Sequence, residues 1–146
     1  MSYYMRYIVV DERPVNVDDV RRAFAAEEED YAVDGADPEA GVALDGRMIA
    51  HVTINVPGDG LFDDELAELS EAAQEGEGPG KATVLETLGN ARAILAVQVL
   101  FGNSDTARTL DALVPLWSWL QDNRRGLLYA EGEGYYDADG LILELE

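Results

Sequence analysis

Cysteine is absent from this sequence, so disulfides, thiolate metal sites and cysteine nucleophiles are excluded. Histidine occurs once, as His51. A zinc site would need carboxylates for every other ligand, and a Ser-His-Asp triad would have to form around that one imidazole. None of Ser2, Ser70, Ser104 and Ser118 lies in a nucleophile-elbow pattern. Long apolar runs are missing too: "AILAVQVLF" is too short to span a bilayer and is interrupted by Gln98. The first residues show no basic region followed by a long apolar stretch, so a cytoplasmic protein is expected.

Positive charge is scarce. Ten basic residues stand against thirty acidic ones, a net charge of -20. Binding to nucleic acid or to anionic membranes, which needs clustered Lys and Arg, is disfavoured. A cationic partner would be attracted and steered instead. Between Arg22 and Lys81 the only basic residue is Arg47. That span holds one acidic series at Glu27, Glu28, Glu29 and Asp30, and a second that includes Asp63, Asp64, Glu68 and Glu71. Simple solvation, in a salt-adapted protein, is the plainer account of the same acids.

What is present suffices for a folded domain. Hydrophobic residues make up 47% of 146, enough to bury a core in one domain. "YYMRYIVV" reads as a first strand. Asn16 is a good N-cap, with Val15 and Val20 placed as a hydrophobic staple, for a helix over about 17–28. Residues 31–41 are rich in turn formers and read as irregular. Asp45-Gly46 signals a hairpin whose second arm turns Met48, Ala50, Val52 and Ile54 one way and Ile49, His51, Thr53 and Asn55 the other.

A second helix opens at Asp63 or Asp64, and "KATVLETLGN" favours a short further helix. "ARAILAVQVLF" reads as a central strand. Ser104 or Asp105 caps a last helix that Pro115 should kink, and two strands close the chain. The order predicts an α+β fold: a ferredoxin-like βαββαβ core with a C-terminal α-β-β extension on a mainly antiparallel sheet. Both helices of that core would share one sheet face and merge the two acidic series.

Motifs that resemble chemistry fail in detail. "DADGLIL", from Asp137, has acids at calcium-loop positions 1 and 3, but Leu141 stands at position 5 and glycine at 4; a hairpin turn fits better. "GEGPGKAT" is preceded by Glu75 where a phosphate loop needs glycine, and has Ala82 where it needs Ser or Thr. No metal or cofactor is expected.

The leading expectation is a non-enzymatic acidic module that binds a basic protein, such as an immunity or inhibitor protein covering a nuclease's cationic site. The acids of both series would carry the contact. An alternative is a small-ligand-binding protein or enzyme using the polar sheet face of His51, Thr53 and Asn55, with Glu131 or Glu133 as acid or base. A third is a homodimer: Leu116, Trp117 and Trp119 spread apolar area round the last helix, which calls either for burial on both sides or for a second subunit.

Overall fold

A computed structural model describes residues 3–102 and 105–145. One antiparallel sheet of eight strands runs through it. In chain order the elements are β1 (Tyr3–Val9), α1 (Val17–Phe24), β2 (Tyr31–Ala36), β3 (Glu39–Leu44), β4 (Arg47–Asn55), α2 (Phe62–Gln74), α3 (Lys81–Gly89), β5 (Ala93–Val99), α4 (Thr106–Ala112), α5 (Val114–Asn123), β6 (Gly126–Ala130), β7 (Gly134–Asp137) and β8 (Gly140–Glu144). The strands lie side by side as β2-β3-β4-β5-β1-β6-β7-β8. No helix among the described residues is long and apolar enough to cross a membrane.

The fold is mixed α+β, but its strand order departs from the ferredoxin-like core. That core would place β1 between β4 and β5; here β5 lies between β4 and β1. The chain leaves β4 and, after α2 and α3, re-enters the sheet at the same end, so the start of β5 pairs antiparallel with the end of β4, Ile94 opposite Asn55. In the ferredoxin-like arrangement the connection would instead cross to the far end and make the two strands parallel. The one split β-α-β unit lies later: β5 and β6 run parallel, on either side of β1, joined by α4 and α5.

Strand alternation builds two cores. Tyr7, Val9, Val52, Leu95 and Val97 project to a first face and pack with Val17, Val20 and Phe24 of α1 and with Leu116, Trp117 and Leu120 of α5. Ile8, Ile94, Leu127, Tyr135 and Leu143 project to the second face, under Phe62, Leu69 and Ala73 of α2 and Val84 and Leu88 of α3. The expectation that both helices of a ferredoxin-like core share one face is therefore overturned. α1 and α2 lie on opposite sides of the sheet.

Local chemistry explains several boundaries. Asn16 caps α1 in a full capping box with Asp19. The helix stops at Phe24 rather than near Glu28. Arg21 and Arg22 suit the negative end of its dipole, whereas the acids at 27–30 would be repelled by it. Asp45 and Gly46 both have positive φ, 52° and 82°, as the hairpin signal requires. A register shift between Val42 and Ala43 buries Ile49 with Ala50 and turns Met48 out, 47% exposed. α2 begins at Phe62 because Asp59, upstream of the expected caps, accepts from the N–H groups of Leu61 and Phe62.

Asp105 accepts from Ala107 N and caps α4; Ser104, the other expected cap, lies outside the described residues. The single kinked helix is in fact two, α4 and α5, meeting at Leu113 with Pro115 in the first turn of α5, where its missing N–H costs nothing. The closing "DADG" is a hairpin turn: Asp137 pairs with Gly140, and Asp137 Oδ1 accepts from the N–H groups of Asp139 and Gly140.

Candidate functional site

The acidic side chains come first. Glu27, Glu28, Glu29 and Asp30 occupy the exposed loop between α1 and β2. Asp63, Asp64, Glu68 and Glu71 lie exposed along α2. None of the eight forms an ion pair among the described residues. Because α1 and α2 cover opposite faces, the two series form separate acidic surfaces rather than the merged one expected.

Several of the few cations are held within the chain. Arg6 Nε meets Glu65 Oε2 at 2.7 Å, Arg21 pairs with Asp18 at 2.8 Å, and Arg22 with Asp19 at 2.8 Å. Lys81 donates to the carbonyl of Gln74, and Arg13 to that of Asn123. The outward field is consequently dominated by the unpaired carboxylates.

The polar sheet face survives only in part as a site. α2 and α3 leave the second face of β2, β3 and the start of β4 uncovered. On it His51 and Thr53 are half-buried, and His51 stands opposite Gln98, which in turn stands opposite Tyr4. Asn55 is buried and donates to Glu65 Oε1 at 3.1 Å, while Arg6 holds the other carboxylate oxygen. Glu65 thus locks α2 to the sheet.

Glu131 and Glu133 do not join this group. Glu131 follows β6, three strand spacings from β4, or roughly 15 Å. Glu133 accepts from the hydroxyls of Tyr3, at 3.1 Å, and Tyr136, at 2.7 Å, which pack on the first-face core. Burial and then the Glu133 charge push the Tyr3 hydroxyl up to about 12. Of the two acids proposed for His51, Glu133 thus engages tyrosines of the other sheet face, and Glu131 lies three strands away.

Leu116 and Trp117 are enclosed by the chain's own core, Trp117 at 6% exposure, so neither is available to a second subunit. The residue facing outward is Trp119, half-buried, lining a cleft of about 660 Å³ with Arg13, Pro14, Asp19, Arg22 and Asn123.

The densest polar cluster was not foreseen from the sequence. Arg124 has a fully buried side chain and donates to both oxygens of Asp11, to Asp19 Oδ2 at 2.9 Å, and to the carbonyls of Arg13 and Pro14. Asp11 Oδ2 also accepts from Arg125 N at 3.1 Å, and the Tyr7 hydroxyl donates to the carbonyl of Arg124 at 2.9 Å. The Arg124 hydrogen bonds hold the Asp11 carboxyl below the usual carboxylate range. Burial pushes the Tyr7 hydroxyl up. With every donor used, this cluster ties the end of β1, the cap of α1 and the start of β6 together, and leaves no free group for chemistry. Only the capping acid Asp19 had a local signal; Asp11 and Arg124 are separated by 113 positions.

Among the described residues no group of three or more His, Asp or Glu side chains could hold a metal ion. Compared with protein-family models, curated proteins and solved structures, the chain finds no match in any of the three.

Proposed function

We propose that this protein is a non-enzymatic acidic module that binds a basic protein, in the manner of an immunity or inhibitor protein that covers a cationic surface. One observation carries the reading: the exposed acids of the α1–β2 loop and of α2 form no ion pair among the described residues, while Arg6, Arg21, Arg22 and Arg124 are each tied to an acid of the chain. Such a surface steers a cationic partner, raising association rates by about 10 to 10³ at low ionic strength.

The test uses a basic nuclease as probe, beside the same nuclease with its lysines acetylated. Stopped-flow association should be fast in dilute buffer and slow by about tenfold or more at about 0.15 M salt, where the Debye length is about 8 Å. Converting Glu27, Glu28, Glu29 and Asp30 to their amides should lower the rate further. Equal rates for native and acetylated nuclease, or indifference to salt, would remove the reading.

A further inference from the structure

An open sheet has two edges, and here they differ. β8 is flanked by the α2–α3 loop, which comes so near that a Cβ on Gly80 would collide with the Ile142 carbonyl, and one on Gly76 would crowd the side chain of Leu145. β2 pairs with β3 on one side only, and no strand among the described residues pairs with its other side, where the Tyr31 N–H is taken by the carbonyl of Glu29. A strand in that position leaves every second N–H and C=O pointing outward, a template for another strand. Arg21 of α1 reaches one of its carbonyls, that of Gly35, at 2.6 Å.

The charge around this edge decides what it can accept. Asp34 is exposed in the middle of β2, Asp30 precedes it, Glu39 stands on the neighbouring strand, and Glu27 to Glu29 lie just before. None of these carboxylates is ion-paired among the described residues. A second copy of this chain would bring the same acids against them, and like charges across a strand pair are destabilising. A strand bearing Lys or Arg would instead find a partner at Asp34 and Glu39. Beside them the exposed Ala32 and Ala36 leave room for long basic side chains to lie flat.

We infer that β2 is a docking edge, extended by a ninth strand from a basic protein. This rests on the function proposed above and names its mode: main-chain pairing supplies affinity, and the acids flanking the edge select cationic side chains.

The experiment uses a synthetic peptide alternating lysine and valine, and the same peptide N-methylated at alternate residues so that it cannot pair. Backbone hydrogen exchange of the full chain is followed with each. The expected result is that the unmethylated peptide slows exchange within 31–36 by about tenfold at saturation and the methylated one does not. Asp34→Lys, an exposed change whose folding is checked by its melting curve, should weaken binding by about tenfold.

Equal binding of both peptides, with protection on α2 instead, would overturn the edge while leaving the acidic-module reading intact. Absence of binding by either at low salt, with the basic nuclease still bound, would also overturn it; absence of both would sink the two together. Protection of β2 without peptide, in a protein that sediments as a dimer, would show that a second copy takes the edge and would overturn the choice of partner.

Discussion

Arg124 joins three segments of the chain: the end of β1, the cap of α1 and the start of β6. Its charge is fully buried and is balanced by Asp11 and Asp19. Such a pair contributes little net stability over a well-packed apolar substitute, yet removing one member leaves the others uncompensated. Arg124→Met should therefore destabilise the protein by about 3 to 5 kcal/mol, measured by urea unfolding. The pH dependence has a definite sign. The Asp11 carboxyl is held below its unfolded value, so its contribution is fully present above about pH 4 and is lost as pH falls toward the folded value. Asp11→Asn should flatten that part of the acid limb; an unchanged limb would mean that the pair with Arg124 does not form.

The element scale shows what could be read in advance. α1 announced itself through Asn16 and its staple, the β3–β4 hairpin through Asp45-Gly46, and β5 through its apolar run, because each depends on neighbours a few residues away. β2 was hidden because Asp34, Gly35, Asp37 and Pro38 are turn formers, and an edge strand needs little apolar content to pair on one side. The separate acidic surfaces and the Arg124 cluster were also illegible, since sheet order and contacts over a hundred residues leave no local periodicity. One boundary offers a direct check. Asp59 accepts from the N–H groups of Val56, Leu61 and Phe62 ahead of α2. Asp59→Ala should cost about 1 kcal/mol and lower the melting temperature, with exchange quickening first in the opening turn of α2. A variant as stable as the parent would show that the turn holds without its cap.

Across the whole molecule, self-repulsion between like charges opposes folding. A net charge of -20 is carried by carboxylates that are mostly exposed, so the folded state confines like charges that the unfolded chain spreads apart. Added salt should raise the melting temperature by several degrees between dilute buffer and about 0.5 M sodium chloride, because exposed charges are screened. The buried pairs of Arg124 lose less to screening and should not cancel the gain. A melting temperature flat across that range would mean that the acids are too far apart to interact, and would weaken the steering argument as well.

The strand order sets a timetable for the chain as it is made. β1 leaves the ribosome well before its two neighbours, β5 and β6, at residues 93–99 and 126–130. β2, β3 and β4 can zip together one after another as a meander, while the earlier strand has nothing to hold. At about 5 to 20 residues per second, β1 waits on the order of ten seconds for its first partner. Through that interval an apolar ribbon with two open edges is tethered to a growing run of carboxylates. The same charge that strains the finished fold therefore keeps nascent copies apart until the middle of the sheet can close.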